Sequence, residues 1–322
     1  MQLLNKMLNN MKKILVSPHN PITGPRHLGH YLGSMKGLID IQNEYECYVV
    51  LDDMLASLMY PKERNKILNR SLYVVQDFIN AGLDTKKSKI IFTSQLPHLF
   101  ELIFMIGTVV DFDYCKTLHS SSFCGLLKHY QRRELNLKFH PSTSEVVYPQ
   151  IGIPCVALGL QAEYFQGGEE ITGYVSTMEE IVDEYSIVSK KQFRTPKYLA
   201  SSMPFVKGLD GAYMIQGNGL LLSASETEIR NKISEAKDIS ILVEWYSAFG
   251  LKANSEKVYS LSEKSAKKEM TEFLVDYLKP FRESELTNGE LIDIVNRSNA
   301  SAADLLNETF ENMRMDFGLL NL

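Results

Sequence analysis

Two histidines three residues apart, His27 and His30, sit in the string PITGPRHLGHYLGSM, Pro21 to Met35. Thr23 and Gly24 form a small, glycine-bearing turn between an apolar run at Ile14–Ser17 and the start of a helix. A strand, turn and helix start in that order aim backbone N–H groups at a phosphate, because the first N–H groups of a helix lack intrahelical partners. Two imidazoles one turn into the helix would donate hydrogen bonds to phosphate oxygens and stabilise charge developing on a phosphoryl group. The competing reading is a glycine turn whose histidines cap the helix, and short glycine motifs are common enough to leave both open. A zinc site does not follow, since an i, i+3 pair without a third partner lacks the ligand set. No metal ligand is assigned. The four cysteines, Cys47, Cys115, Cys124 and Cys155, are scattered without metal spacing. They read as reduced thiols rather than a disulfide framework.

The elements that must position this turn follow from the alternation of apolar runs. ILVS is a short buried strand, followed after the turn by a helix from about Leu28 to Asn43. Cys47–Asp53 is a second strand, a helical stretch runs from about Lys62 to Ala81, Ser88–Gln95 is a third strand, and a helix follows at Leu99–Val109. Strands separated by helices predict an α/β fold with a doubly wound parallel sheet. Ligands of such sheets sit at the carboxyl ends of the strands, which directs attention to Ser17–His30. Asp113–Ser144 is an irregular insert with three of the seven histidines and a basic cluster at Lys128, Arg132, Arg133 and Lys138. It reads as a lid or partner-binding insert, or equally as a solvated surface helix near Leu126–Leu135. From Ser225 the pattern is helical through Phe317.

The 322 residues give room for about two domains. With 44% hydrophobic and 23% charged residues the chain is neither disordered nor fibrous. A net charge of −5 argues against a general nucleic-acid coat but leaves room for a local basic patch. Apolar runs such as Leu102–Val110 fall short of a membrane span, so no membrane association is expected. The first residues, MQLLNKMLNNMKK, show no apolar core before a small-residue cleavage site. The expected compartment is the cytoplasm.

TG-xx-HLGHYLGSM resembles the first signature of class I aminoacyl-tRNA synthetases, HIGH in its general form, in the flavour of the tryptophanyl-tRNA synthetases. The similarity continues in order through CYVVLDDMLASL, TSQLP, VVYPQ, GGEE, GLDGAYM, GNGLLLSASETEIRNKISEAK and a tail ending MRMDFGLL. It implies a Rossmann-type catalytic domain over 1–222, with the insert at about 113–144. It also implies a helical, anticodon-binding-like domain over 223–322, whose last helix packs back on the first. A homodimer, ATP with Mg²⁺, an amino acid or other carboxylate as substrate, and tRNA as acceptor are implied with them. Residue by residue, the resemblance makes His27 and His30 catalytic. It assigns ATP binding to Asn20, Thr23, Gly24, His27, Gly29, His30, Gly168, Glu170 (at the ribose) and Met214. Substrate binding falls to Val16, Pro18, Met54, Tyr148 (facing the ammonium group), Gly152, Cys155, Phe165, Gly167 and Ile171.

Two departures stand out. The second class I signature, KMSKS, should lie between Gly211 and Gly217, where Tyr213, Met214, Ile215 and Gln216 stand instead. The loop's lysines hold the triphosphate in the family, and losing one preorganised group of this kind costs roughly 10²–10³ in rate. Lys207, Arg230 or the basic insert are the candidate compensating cations. In the amino-acid pocket, counting from Tyr148 puts Cys155 where the family has the Asp that accepts the indole N–H, and Pro154 is expected to bend or break that helix. Ile171 replaces a pocket glutamine and Met54 a second-strand histidine. The leading reading is a tryptophanyl-tRNA synthetase-like paralogue that forms an acyl-adenylate from another amino acid or serves another acceptor. The alternatives are a divergent tryptophan–tRNA ligase and a non-catalytic binding or regulatory protein.

Overall fold

A computed structural model describes residues 13–111, 143–168, 171–190, 193–201, 203, 205–251, 261–283 and 286–319. Five parallel strands, β1 (Lys13–His19), β2 (Tyr45–Leu51), β3 (Lys89–Phe92), β4 (Tyr164–Gly167) and β5 (Lys197–Ala200), form one sheet in the order β3-β2-β1-β4-β5. The chain builds outward from β1 through β2 to β3, then returns to the other side of β1 for β4. The order therefore reverses between β1 and β4, and that is where an open α/β sheet has its crevice.

The period of two in the strands divides the interior into two cores. Leu15, Cys47, Val49, Leu51, Ile90 and Phe92 face one of them, and Val16, Tyr48, Val50 and Ile91 face the other. The first face is covered by α1 (Leu28–His30), a π-helical turn (Tyr31–Met35), α2 (Lys36–Ile41) and α4 (Ile67–Asn80). The sequence predicts one continuous helix there. The π turn closes on the bond from the Lys36 N–H to the Tyr31 carbonyl, and all five of its residues are buried. Turns of this kind often mark functional positions. The second face is covered by α5 (Leu99–Ile106), α6 (Thr143–Gly159) and α7 (Thr172–Ser189). α3 (Asp53–Met59) follows β2.

Of the bend or break expected at Pro154, the break does not occur: α6 runs through both Pro149 and Pro154. Ile151, Ile153, Cys155, Val156, Ala157 and Leu158 are all buried around it. Packing on every side offsets a cost of about 3 kcal/mol for an interior proline.

Beyond the sheet come α8 (Glu226–Ser234), α9 (Ile239–Ala248), α10 (Glu263–Tyr277), α11 (Lys279–Glu283) and α12 (Asn288–Asp316). Ile229, Trp245 and Leu274 continue the first core without a break. We retain a division between 222 and 223 as a proposal about folding units. α12 begins with a Thr287/Glu290 capping box, a device that satisfies otherwise unpaired N–H groups. Its Leu291 and Val295 join the first core, and its Ala302, Leu306 and Phe310 join the second. Between them Asn299 accepts from the Phe92 N–H and donates to the Phe92 carbonyl, each at 3.1 Å. One side-chain amide thus pairs the outer backbone of edge strand β3 that would otherwise be open to another chain.

Candidate functional site

β1 ends at His19, and the chain reverses through a tight turn in which the Gly24 N–H bonds the Pro21 carbonyl at 3.0 Å. Gly24 has φ +74°, a conformation that a side chain at this position would strain. Asn20 folds the same turn: its Oδ1 accepts from the Ile22 N–H at 3.0 Å. The turn opens into a cleft of about 220 Å³ at the switch point. Pro18 and His19 line it from the end of β1, Thr23 from the turn, His27, Gly29 and His30 from the helix start, and Gly167 and Gly168 from the end of β4. Met214 and its neighbours Tyr213, Ile215 and Gln216 close it from above.

His27 is the N-cap of the first helix, with Nδ1 accepting from the Gly29 N–H at 3.1 Å. A cap through Nδ1 places the proton of a neutral ring on Nε2, which leaves an N–H donor for the cleft. Capping and phosphate recognition are therefore compatible. The backbone donors are a different matter, because the structure spends them internally. The Leu28 N–H bonds the Leu220 carbonyl at 2.8 Å, the His30 N–H bonds the His27 carbonyl at 3.0 Å, and the Met214 sulfur lies 2.9 Å from the Gly29 nitrogen. A Cβ on Gly29 would come within 2.9 Å of the His27 ring, so only glycine lets the cap close.

The two rings lie 3.9 Å apart, tilted by 34°. Burial, and then the Arg26 charge, hold His27 down to about 4 and His30 well below the ordinary histidine range. Both are neutral at pH 7. Because the folded-state value of His27 is depressed, the unfolded chain takes up the proton first. The contribution of His27 to stability is therefore fully present above about pH 6.5 and is lost as pH falls toward 4. His27→Ser keeps a cap and removes the titration. Between pH 7 and pH 4 its unfolding free energy should fall about 2–3 kcal/mol less than that of the wild type, read by urea denaturation.

At the shortened loop, Asn218 ties the chain down. Its Oδ1 accepts from the Ile215 N–H at 2.7 Å, and its Nδ2 donates to the Tyr213 carbonyl at 3.0 Å and to Asp210 at 2.9 Å. The Gln216 amide reaches the Thr23 carbonyl at 3.5 Å. Met214 is buried, while Tyr213, Ile215 and Gln216 are exposed.

The sequence-derived substrate residues split into two groups. Pro18 and Gly167 reach the cleft. Val16, Tyr148, Cys155, Phe165 and Ile171 are packed in the second core, with Met54 half-buried against it. The Tyr148 hydroxyl donates to Asp52 at 2.8 Å, and burial pushes the Asp52 carboxyl up to about 6. Gly152 makes room for the Tyr148 ring, whose atoms come within 2.9 Å of the position a Cβ would take. Ile171 fills the space over Gly167 in the same way, at 2.7 Å. Cys155 faces an apolar void of about 10 Å³ among Leu102, Ile181, Val182 and Met313, and burial pushes its thiol up. Glu170 and the 113–142 part of the insert lie outside the described residues.

The family model for tRNA synthetases class I (W and Y) matches residues 19–300. The chain belongs to this family. The tryptophan–tRNA ligase of Streptococcus mutans is 23% identical over 354 aligned residues, 96% of this chain and 98% of the relative. That of Chlamydia caviae is also 23% identical, over 231 residues, 70% of this chain and 65% of the relative, just under two thirds of its length. Among solved structures, tryptophanyl-tRNA synthetase from Campylobacter jejuni complexed with ADP and tryptophan superposes with a TM-score of 0.79 at 18% identity, covering 95% of this chain and 100% of that one. The Rossmann-type sheet with its C-terminal helices is the fold of that class.

Among the described residues no lysine or arginine side chain lines the cleft. Of the candidate compensating cations, Lys207 is paired with Glu244 at 2.7 Å and Arg230 with Glu272 at 2.8 Å, and neither lines the cleft. Lys232 donates to the Gly217 carbonyl at 3.1 Å. Sequence reasoning missed His19 and Ser34, which line the cleft. His19 Nε2 lies 3.1 Å from the Ser17 hydroxyl, which donates to Gln166 at 2.9 Å. The signal was available: Ser17 and His19 are polar at the two inward positions that follow Leu15 on β1.

Proposed function

We propose that this class I synthetase binds ATP in the switch-point cleft and activates the carboxylate of an amino acid other than tryptophan as an acyl-adenylate. The observation that carries the reading is the neutral, capped His27 with its Nε2–H left for the cleft, beside His30, at the crevice of the sheet. In the proposed step a carboxylate oxygen attacks the α-phosphorus in line, the bond from that phosphorus to the bridging oxygen breaks, and pyrophosphate leaves with the electron pair. The His27 Nε2–H donates to a phosphoryl oxygen as its charge grows, with the His30 ring packed beside it. Thr23 and Gly168 border the nucleotide, and Glu170 takes the ribose by resemblance. Among the described residues no group of three or more His, Cys, Asp or Glu could hold a metal ion. Mg²⁺ in this proposal arrives on the nucleotide's phosphates, its usual mode.

Support for a substrate other than tryptophan comes from the packed group, in which Ile171, Phe165 and Cys155, pocket residues by resemblance, are buried in the second core with apolar neighbours. A tRNA acceptor and a cytoplasmic location belong to the same proposal. Among the described residues no helix is long and apolar enough to cross a membrane. One observation favours a second reading, a nucleotide-binding protein without catalysis: Tyr213–Gln216 offer no charge where the family has lysines. Exchange of labelled pyrophosphate into ATP decides among the readings. Exchange with an amino acid other than tryptophan is the expected result. Exchange with tryptophan alone would support a divergent tryptophan–tRNA ligase, and none with any amino acid would favour the second reading.

We also propose a homodimer. Phe100, Phe104 and Leu319 are exposed around a groove of about 350 Å³ between α5 and the chain beyond α12, and contiguous apolar surface of this kind marks interaction sites. Sedimentation at micromolar concentration should give twice the 36.6 kDa chain mass. A 36.6 kDa species would remove the dimer.

A further inference from the structure

Arg26, the residue before the N-cap, is among the largest fully buried side chains of the protein, with 1% of its surface exposed. Its hydrogen bonding is unusual for a buried cation. Nη2 donates to the Asn20 carbonyl at 2.9 Å, Nη1 lies 3.4 Å from His30 Nε2, and Nε has no partner. Asp77 accepts from the Arg26 backbone N–H at 2.7 Å, not from the guanidinium. Among the described residues the guanidinium forms no ion pair. Burial draws it down to about 10 against the opposing pull of Asp77. His30 is in turn approached by donors at both ring nitrogens, since the His27 N–H lies 3.5 Å from its Nδ1. A neutral ring can accept at only one of them.

A buried guanidinium that no carboxylate hydrogen-bonds, with only Asp77 nearby and engaged by the backbone, is expensive to keep unless an anion helps to balance it. The guanidinium is held against His30, which lines the cleft, and against the carbonyl of Asn20 in the turn where phosphates are proposed to sit. Among the described residues, Lys207, Arg230 and Lys232 each already have a partner. We propose that Arg26 is the positive charge that balances the nucleotide's phosphates in this chain, acting through His30 and the Asn20 turn in place of the loop lysines. The proposal rests on reading the cleft as a nucleotide site. Arg26 is a positioning residue: it is buried and does not line the cleft, sets the field at both imidazoles and fixes the His30 ring that packs on His27. A charge at this depth is little screened by salt and acts at an effective dielectric near 20.

The test compares ATP, inorganic tripolyphosphate and adenosine by calorimetry on the full chain. At pH 7.5, Arg26→Met should weaken ATP and tripolyphosphate roughly ten- to a hundredfold and leave adenosine unchanged. Arg26→Lys should restore most of the loss. The deficit should also shrink as pH falls to 5.5. His30 is faced by Arg26, His27 and His19, with Asp77 beyond Arg26; once the guanidinium is gone, a proton drawn by the bound phosphates onto the imidazole supplies the missing charge. A purely structural role would lower adenosine along with ATP and give no recovery in acid.

Asp77→Asn guards against misfolding of the Arg26 variants, because it keeps an acceptor for the Arg26 N–H and removes the nearest negative charge. ATP and tripolyphosphate should then bind about two- to fivefold tighter. If the wild type binds ATP and tripolyphosphate but none of these substitutions changes their affinity relative to adenosine, the role given to Arg26 is wrong and the nucleotide site stands. If the wild type binds neither, the site and the role of Arg26 fall together.

Discussion

Alanine at both His27 and His30 is expected to slow adenylate formation by about 10³-fold, measured by pyrophosphate exchange or in a single turnover. Removing one preorganised donor costs roughly 10²–10³, and groups that act on one centre are strongly non-additive, so the pair should cost little more than the worse single change. Part of any loss could be structural, because His27 also caps the helix. A lost cap costs about 1 kcal/mol of stability. His27→Ser separates the two, since serine restores the cap acceptor but offers nothing to the cleft in place of Nε2–H. Its rate should follow the alanine variant and its stability the wild type. An unchanged rate in the double variant would remove the motif from phosphate chemistry.

The same residues show how far sequence alone could reach. The HLGH string was legible because its chemistry is local: strand end, turn, cap and both rings lie within a dozen residues. β1, β2 and β3 were legible from their apolar runs, and so was the parallel sheet. β4 and β5 were not, since each has four residues and β4, Tyr-Phe-Gln-Gly, ends in a polar residue and a glycine. Arg26 was invisible for the opposite reason. A cation in a Pro/Gly turn reads as solvated, and only Asn20, His30 and Asp77, the last 51 residues away, enclose it. The amino-acid pocket was read by counting from Tyr148. A count identifies a residue but not what it faces, and α6 is apolar nearly all round, so no polar stripe distinguishes a cleft side from a core side.

Cys155→Asp, the substitution that would recreate the family's indole acceptor, is therefore expected to destabilise the protein by about 3–5 kcal/mol. Cys155 is fully buried. Its neighbours are aliphatic or aromatic, and the polar groups nearby are committed: the Thr309 hydroxyl donates to the Gly159 carbonyl at 2.8 Å and the Tyr185 hydroxyl to Asp316 at 2.6 Å. The void of about 10 Å³ beside it is too small and too apolar to hold a water that could solvate a carboxylate. Such a cost is a large part of a typical total of about 5–15 kcal/mol, so a urea midpoint well below that of the wild type is the expected reading. Cys155→Ala, which adds no polar group, should lose far less. In the wild type the same packing keeps an indole away from Cys155, so calorimetry with tryptophan and an ATP analogue should show no micromolar binding. A Cys155→Asp protein as stable as the wild type that bound tryptophan at micromolar concentration would mean that α6 opens onto the cleft at this residue. Tryptophan would then return as the natural substrate.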